Sequence, residues 1–355
     1  MRYVTIDNLK KGMVFAQNIF GERGEKVYDD GRKISQREID VINKLGYPGA
    51  YIEDDLSKDL VPEPLVPYEL YMNATAALKY FMDLARSQTN AKDRVRDLER
   101  QHDVVMPIIE LLIQKKRRII DYIEAKPFKE YDNFHAVSVM IMSILAGIEI
   151  GLDGKKLYEL GVASLLHDIG NAFLPAEILN RPGELSDEEY EIVKKHVQSG
   201  YDYLHEYHEL SPEASMGALE HHENYDGTGY PNKLKRKQIS LVGRIVAVAD
   251  VYDALVSRRP YRAAKFAGEG LDILEQGSDR KFDPDIVNTF VKFVAPYPCG
   301  VPVVLSSGEK AIVFHNYAES LRRPRLLRVD EGAGQYIDLA KDPTFAKTKV
   351  RKIVE

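Results

Sequence analysis

Apolar and polar positions in the first sixty residues alternate in short runs that are separated by turns. The apolar runs at 3–6, 13–15 and 50–52 have the length of β-strands, and a helical spacing of apolar residues precedes the third run. This pattern predicts a small α+β module over residues 1–62. Three prolines in the heptapeptide VPEPLVP that starts at Val61 interrupt strands and helices alike, so they mark its predicted end.

The next stretch has a helical pattern. Between residues 68 and 125, apolar side chains recur three, four and seven positions apart and are flanked by charged residues, which is typical of amphipathic helices. We interpret residues 63–120 as a helical connector that packs on the following domain. The alternative, a signalling coiled coil, needs a regular repeat over three or four heptads, and this repeat is less regular.

Consecutive helices are predicted for residues 130–295, after which the pattern changes again. Ser186 and Glu189 form a capping-box signature ahead of one helix that is predicted to run through Val193 and Val197. From 297 to 355, the β-prone pieces VPVVL, AIVF and LLRV alternate with glycine-containing turns. This part of the chain is predicted to be a small β-rich module.

The overall charge argues against a general nucleic-acid binder. The chain has 49 basic and 55 acidic residues, a net charge of −6, so we expect no DNA or RNA partner, whereas a small anionic ligand remains compatible. One local exception is the cluster Arg322, Arg323, Arg325 and Arg328. A solvated edge is the favoured interpretation of this cluster, and an anion-binding patch is the alternative.

Composition and cysteine content predict a folded cytoplasmic protein. Of the 355 residues, 44% are hydrophobic and 29% charged, as in ordinary globular domains. The single cysteine, Cys299, cannot form an internal disulfide, and the first residues lack the apolar core of a signal peptide. The uncharged stretch 136–148 is shorter than the roughly 20 residues of a membrane span, so it is interpreted as a buried helix.

Histidine is the residue that points to chemistry. Six of the nine histidines lie between His167 and His222. The apolar helix that contains His167 and Asp168 is predicted to end at Gly170, which places both side chains in its last turn. His196 shares a helix face with Val193 and is predicted to point into the core.

Further polar residues follow the same pattern of apolar surroundings. His221 and His222 end another helix, His135 opens the uncharged helix, and Asp250 lies in an apolar helix where an unpaired carboxylate would be very costly. Five imidazoles and two carboxylates without cysteine favour iron, manganese or zinc. Seven ligands exceed what one four-coordinate ion needs, which indicates two ions that share a carboxylate.

Three motifs in one order make the chain resemble the HD-GYP phosphodiesterases. They are HDIG at 167–170, HHENYDGTGYP at 221–231 and VADVYDALVSRRPYR at 248–262. The resemblance implies a mainly α protein in which an HD-superfamily helical bundle, residues 121–296, lies between the two small modules. It also implies metal-dependent hydrolysis of cyclic di-GMP to linear pGpG or further to GMP.

Site residues are carried over from this resemblance position by position. Asp168 would bridge two ions, iron or manganese, and hold the nucleophilic hydroxide. Arg259 and Arg262 match positions that contact the substrate phosphate, a role that suits guanidinium groups. The loop residues Gly227, Gly229, Tyr230 and Pro231 would face the substrate, although such sequences also form ordinary turns. The implied metal ligands are His135, His167, Asp168, His196, His221, His222 and Asp250.

The chain departs from the family pattern at two positions. Asn171 stands where the family often has the lysine of HDIGK, so Asn171 is a second candidate catalytic residue and a slow enzyme is predicted. Tyr131 stands where members with a third metal have a glutamate, which predicts two metals. One alternative is a phosphohydrolase for another nucleotide. The other is a weakly active or inactive receptor or scaffold that binds a cyclic dinucleotide, or binds signalling partners through its GYP surface. The resemblance does not decide between a monomer and a homodimer.

Overall fold

Helices dominate the computed structural model, as the sequence pattern predicts. The structure describes residues 1–21, 25–55, 57–87, 91–123, 131–179, 181, 183, 185–206, 211–258, 264–330 and 333–354, with the backbone alone for 91–99 and 131. A helical bundle lies between small sheet modules near the two ends of the chain. The predicted fold class is thereby confirmed.

Two antiparallel strand pairs and one helix form the N-terminal module. β1 (Arg2–Thr5) pairs with a later strand, while β2 (Ile19–Phe20) pairs with β3 (Lys26–Tyr28). Helix α1 (Gln36–Lys44) begins at a capping box, and β4 (Gly49–Ile52) is the strand that completes the pair with β1. The apolar residues that alternate along these elements enclose their own small core.

Two long helices pack on the central bundle. They are α2 (Tyr68–Ser87) and α3 (Ala91–Gln114), and their buried side chains join the same core as those of the following helices. The Tyr71 hydroxyl, for example, donates a hydrogen bond to the Phe134 carbonyl over 2.6 Å. This packing agrees with the interpretation of residues 63–120 as a helical connector that packs on the following domain, rather than as a signalling coiled coil.

The central bundle is built around one apolar helix, α4 (Tyr131–Ile150), which contacts α2, α3 and three later helices. By length and composition α4 could cross a membrane, but 78% of its most apolar window is buried inside the protein. It is therefore the buried core helix that the sequence predicts. The rest of the bundle consists of α5 (Gly154–Leu165), α6 (Ala176–Leu179), α7 (Asp187–Val193), α8 (His196–His205), α9 (Pro212–Glu220), α10 (Leu241–Val256), α11 (Ala267–Gln276) and α12 (Pro284–Phe290).

A five-stranded antiparallel sheet forms the C-terminal module, with the strand order β8-β7-β6-β5-β9. Its core includes the buried side chains of Val303, Val313 and Leu326. The strands are β5 (Pro302–Leu305), β6 (Lys310–His315), β7 (Arg325–Arg328), β8 (Tyr336–Asp338) and β9 (Val350–Ile353).

All four clustered arginines of this module have partners within the protein. Arg322 pairs with Glu275 at 2.9 Å, and Arg323 donates to the carbonyls of Leu339 and Phe345. Arg325 lies over the ring of Tyr336, and Arg328 pairs with Glu309. An anion-binding patch is therefore not supported. The solvated-edge interpretation describes half-exposed Arg322 but not Arg328, whose side chain is only 20% exposed.

The two small modules also contact each other. Tyr51 of β4 is fully buried, and its hydroxyl donates a hydrogen bond to the Cys299 carbonyl over 3.0 Å. The Tyr3 amide donates to the Gly300 carbonyl over 2.9 Å, and the Tyr51 ring stacks on Tyr122. Burial raises the pKa of the Cys299 thiol, which is a packed core group rather than a reactive one.

Candidate metal centre

His167 and Asp168 lie in a turn that follows α5. The helix ends at Leu165, so the prediction that it continues to Gly170 is wrong by five residues. A close approach of two backbones explains this difference, because a Cβ on Gly170 would lie 1.9 Å from the His196 carbonyl oxygen. A 3₁₀ turn, Ile169–Phe173, packs there on α8. His167 is fully buried, whereas one third of the Asp168 side chain is exposed.

His196 is the first residue of α8. The capping box of Ser186 and Glu189 is confirmed, but the predicted single helix is wrong, because α7 ends at Val193 and a two-residue turn separates it from α8. At this break the ring Nδ1–H of His196 donates to the Val193 carbonyl over 2.7 Å. The imidazole is 2% exposed and points inward, as predicted.

His221 and His222 follow directly after the last residue of α9, as predicted. The Nδ1–H of His221 donates to the Gly217 carbonyl over 2.9 Å. The His221 and His222 ring centroids are 4.1 Å apart, and the His196 ring lies within 5.4 Å of both. We call His196, His221 and His222 the α8–α9 triad.

His135 of α4 lies between two carboxylates of α10. Its Nε2 is 3.0 Å from Asp250 Oδ1, and its Nδ1–H donates to Asp253 Oδ2 over 2.7 Å. The ring of His167 lies 5.6 Å away, centroid to centroid. His135, His167 and Asp250 offer donor atoms within 4.8 Å of one another, and we call them the α4–α10 triad.

Asp168 lies between the two triads. Its Oδ1 is 3.3 Å from His196 Nε2 and 3.7 Å from His221 Nε2, while its Oδ2 is 3.6 Å from His167 Nε2. One carboxylate oxygen therefore faces each triad. All seven residues that the sequence singles out as ligands meet at this point, although they come from positions as far apart as 135 and 250.

The hydrogen-bond pattern shows that this donor set fits a metal cation. In His167, His196 and His221 the Nδ1 atom faces a backbone carbonyl. A carbonyl only accepts, so Nδ1 carries the proton and Nε2 presents a lone pair. The buried His167 Nε2 finds no hydrogen-bond partner within the described structure. The Nε2 atoms of His196 and His221 face each other at 3.3 Å, where a cation relieves the contact between two lone pairs.

At four of the seven candidate ligands, His221, His222, Asp168 and Asp250, electrostatics favour the protonation states that metal binding needs. Burial lowers the pKa of His221 well below its ordinary value and lowers that of His222 to about 4, and neighbouring histidines add to both shifts. Burial opposes ionisation of Asp168 and Asp250, yet the surrounding imidazoles hold the pKa of each carboxyl well below its usual range. Neutral imidazoles and ionised carboxylates are the forms that bind divalent metals.

Asp253 is a functional candidate that sequence reasoning missed. It is 3% exposed and lies one helical turn after Asp250 in the motif VADVYDAL. Burial lowers the pKa of His135, but the hydrogen bonds to Asp250 and Asp253 raise it to about 9. A second acidic residue three positions after a predicted ligand in an apolar helix was the available signal.

Glu223 is a second residue that sequence reasoning missed. It anchors the loop of residues 227–231, which we call the GYP loop. This buried carboxylate accepts hydrogen bonds from the amides of Asn232, over 2.6 Å, and Leu234, over 3.1 Å. Glu223 follows the histidine pair directly, which was its signal in the sequence.

The substrate-facing residues predicted for this loop lie beside the α8–α9 triad. The Tyr230 ring stacks on His222, with 4.9 Å between centroids. Gly229 has no room for a side chain, because a Cβ would lie 2.2 Å from the Asn224 amide nitrogen. Pro231 is exposed, and Gly227 turns the chain at a φ of +85°.

The remaining predicted residues are described only in part. The backbone amide of Asn171 donates a hydrogen bond to the Asp168 carbonyl over 3.0 Å, and the Asn171 side chain is half-buried in the 3₁₀ turn. Arg259 and Arg262 lie outside the described residues, as does the side chain of Tyr131.

Comparison with known proteins gives matches over this same region. Residues 117–286 match the sequence profile of the HD domain family. The cyclic di-GMP phosphodiesterase PA4108 of Pseudomonas aeruginosa is 36% identical over 230 residues, which are 65% of this chain and 55% of that protein. The cyclic di-GMP phosphodiesterase response regulator RpfG of Xanthomonas campestris pv. campestris is 32% identical over 238 residues, 66% of this chain and 61% of that protein.

A third relative has a different cyclic dinucleotide in its name. The 3'3'-cGAMP-specific phosphodiesterase 3 of Vibrio cholerae is 34% identical over 157 residues, which are 44% of this chain and 34% of that protein. The chain thus spans between 34% and 61% of the length of these three relatives.

Proposed function

We propose that this protein is a metal-dependent phosphodiesterase, because residues 117–286 match the sequence profile of the HD domain family and carry motifs that resemble those of its HD-GYP members. Its substrate is cyclic di-GMP, which it opens to linear pGpG, with GMP as the product if the second diester is also cleaved. The observation that carries the proposal is Asp168, which turns one carboxylate oxygen to each of two imidazole-rich triads.

We infer that the centre takes two divalent transition metals, iron or manganese. The α4–α10 triad would hold one ion, the α8–α9 triad the other, and Asp168 would be shared. A ligand set of nitrogen and oxygen atoms without thiolate suits these metals. When bound, such ions lower the pKa of water and stabilise negative charge on phosphoryl oxygens.

The chain's own residues orient this centre. The carbonyls of Ser164, Val193 and Gly217 fix the tautomers of three histidines, and Asp253 does the same for His135. Such partners hold ligand rings in place and make them more basic. The exposed part of Asp168 can accept a hydrogen bond from the water that attacks phosphorus.

Residues around the centre would bind the diester. The side-chain amide of Asn171 can donate a hydrogen bond toward a phosphoryl oxygen, but it carries no charge. Arg259 and Arg262 are assigned to the phosphate, because guanidinium groups form paired, charge-assisted hydrogen bonds with it. The GYP loop, in which Pro231 is exposed, is the surface that we assign to signalling partners, and we assign the protein to the cytoplasm.

Cyclic di-GMP is the first choice of substrate because PA4108 and RpfG, which match about two thirds of this chain, are named for its hydrolysis. The 3'3'-cGAMP-specific relative matches a shorter part of the chain and makes cGAMP the second candidate. A receptor without turnover is disfavoured, since seven buried or half-buried polar ligands are hard to retain without metal.

Turnover by anaerobically purified protein loaded with iron or manganese tests the proposal. Cyclic di-GMP and 3'3'-cGAMP are supplied separately and then in competition, products are separated by chromatography, and metal content is measured on the same sample. We expect about two metals per chain and preferential loss of cyclic di-GMP. Binding without turnover by metal-loaded protein would favour the receptor, and preference for cGAMP would change the substrate.

Asp168→Ala is the matched variant for that experiment. Because its carboxylate faces both triads, its removal is expected to lower the metal content well below two per chain and to abolish turnover. Tyr131→Phe should leave the metal count as in the wild type. Full metal content in Asp168→Ala would contradict the shared-carboxylate role.

A further inference from the structure

A row of aromatic rings and one ammonium group leads outward from the α8–α9 triad. The Tyr230 ring stacks on His222, with 4.9 Å between the ring centroids. The Lys194 ammonium lies 5.5 Å from the centroid of Tyr230 and 4.8 Å from that of Tyr190. The Lys194 ammonium thus lies near both rings, and Tyr190, on α7, is the outer one of the row.

Two groups in this row reach solvent, Tyr190 more than Lys194, whose side chain is 27% exposed. Tyr190 is 46% exposed. Lys194 pairs with Glu191 at 2.5 Å, but Glu191 is 67% exposed, and such surface pairs are weak and screened by salt. The lysine ammonium can therefore attract a second anion while its pair with Glu191 persists.

The size of the proposed substrate requires a surface of this kind. Only one phosphodiester of a cyclic dinucleotide can lie at Asp168, so the other half, with its base and its phosphate, must contact residues beyond the triads. Exposed aromatic rings stack on purine bases, and a neighbouring cation attracts the phosphate. These are the two groups that Tyr190 and Lys194 present beside the GYP loop.

We propose that Tyr190 and Lys194 form a subsite for the half of the substrate that is not being hydrolysed. Tyr190 stacks on its purine base, and Lys194 faces its phosphate. This assignment rests on the proposed function and adds specificity-determining residues outside the family motifs. It predicts that the two side chains discriminate between a dinucleotide and a small diester that has no second half.

Kinetics with two substrates test the subsite. Tyr190→Ala should raise KM for cyclic di-GMP by roughly 5- to 150-fold, the range found when one base-stacking aromatic is removed. KM for bis(4-nitrophenyl) phosphate should rise far less, and Tyr190→Phe should restore most of the affinity for cyclic di-GMP. The control is Tyr336→Ala, which removes a tyrosine that is 42% exposed on β8 and should leave both substrates unaffected.

Lys194→Gln tests the ionic part of the subsite. It should raise KM for cyclic di-GMP severalfold at low salt, and the difference should shrink in 0.5 M salt because screening weakens exposed charge interactions (about 10 Å Debye length at 0.1 M). Lys349→Gln, on the C-terminal module, is the matched control. An effect of Lys194→Gln that is independent of salt would contradict the ionic contact.

A spectroscopic signal reports stacking directly. The chain has no tryptophan, so Tyr190→Trp introduces a single tryptophan beside the triad, whose fluorescence can be excited separately from that of the tyrosines, and Tyr336→Trp serves as its control. Cyclic di-GMP mixed with the manganese-loaded variant should quench the Tyr190→Trp signal within the first turnover and leave Tyr336→Trp unchanged.

The outcomes separate this proposal from the proposed function. If the wild type hydrolyses cyclic di-GMP but Tyr190→Ala keeps its KM, or if KM rises equally for both substrates, the subsite is wrong and the function stands. Absence of quenching in an active Tyr190→Trp variant would likewise overturn the subsite alone. A wild type that neither binds nor hydrolyses cyclic di-GMP overturns both.

Discussion

Asp253 controls a candidate ligand without being one of the seven. Its carboxylate accepts the His135 Nδ1–H over 2.7 Å, so Asp253→Asn should leave the ring less firmly oriented and less basic. We expect metal affinity to fall roughly 10- to 100-fold, as for other partners of metal-binding histidines. Titration of metal-free protein with Mn²⁺ measures the loss, with exposed Asp272→Asn as control. Equal affinity in the two variants would contradict this role.

Asn171 is the side chain that we expect to limit the rate. It lies in the turn next to Asp168, and a neutral amide cannot offset charge that develops on phosphoryl oxygens. Removing one preorganised stabilising group typically costs about 10²- to 10³-fold in rate, so Asn171→Lys should raise kcat with unchanged metal content. The measurement is kcat with metal analysis on the same sample. A flat or lower rate would show that another cation already serves the phosphate.

Residues of the centre could be predicted from sequence to different degrees. The clustering of the seven candidate ligands was predictable because their residue types are costly inside apolar helices unless they bind something. Asp253 and Glu223 were not, since each acts through hydrogen bonds whose partners lie far away in the chain or in a loop. The surroundings of Arg322 were equally hidden, because its partners Asp272 and Glu275 belong to another module.

Helix α1 illustrates an element whose stability depends on one buried carboxylate. Hydrogen bonds from Ser35 and Arg32 lower the pKa of Glu38 to about 2. Because the folded pKa lies below the unfolded one, this stabilisation is complete above about pH 4.5 and is lost as the pH falls toward 2.

Glu38→Gln should therefore destabilise the protein by about 1 to 2 kcal/mol at neutral pH. The difference from the wild type should shrink as the pH is lowered from 7 to 3.5, since unfolded Glu38 then takes up a proton that folded Glu38, with its pKa of about 2, does not bind. Urea unfolding across this pH range measures the difference in the free energy of unfolding, and Glu63→Gln, at an exposed position, is the control. A difference that stays constant with pH would mean that Glu38 acts through packing alone.

Helix boundaries near the centre were the least predictable elements. The capping box of α7 was correct because its signal is local, four residues long. The predictions for the end of α5 and for the break before α8 were wrong. Both features lie at the contact of Gly170 with the His196 backbone, which joins residues 26 positions apart in the sequence. Local periodicity carries no information about such an approach.

At the scale of the whole molecule, Tyr51 connects the N-terminal module to the rest. Its buried hydroxyl donates to the Cys299 carbonyl and accepts from the Ile123 amide. Tyr51→Phe should lower the free energy of unfolding by about 1 to 3 kcal/mol, because two buried backbone groups lose their partner. Urea unfolding measures the change, and Tyr336→Phe should show none. Wild-type stability in Tyr51→Phe would place the connection elsewhere, in the Tyr3 and Tyr122 contacts.

The Tyr51 contact also has a consequence for synthesis on the ribosome. It joins residues that are 248 positions apart in the chain. Domains fold largely as units while the chain emerges, so the N-terminal module leaves the ribosome early but must wait for Cys299 before it can dock. During that interval its Tyr51 face stays exposed to solvent and to other nascent chains, and the helical bundle with its seven candidate ligands can assemble before the module docks.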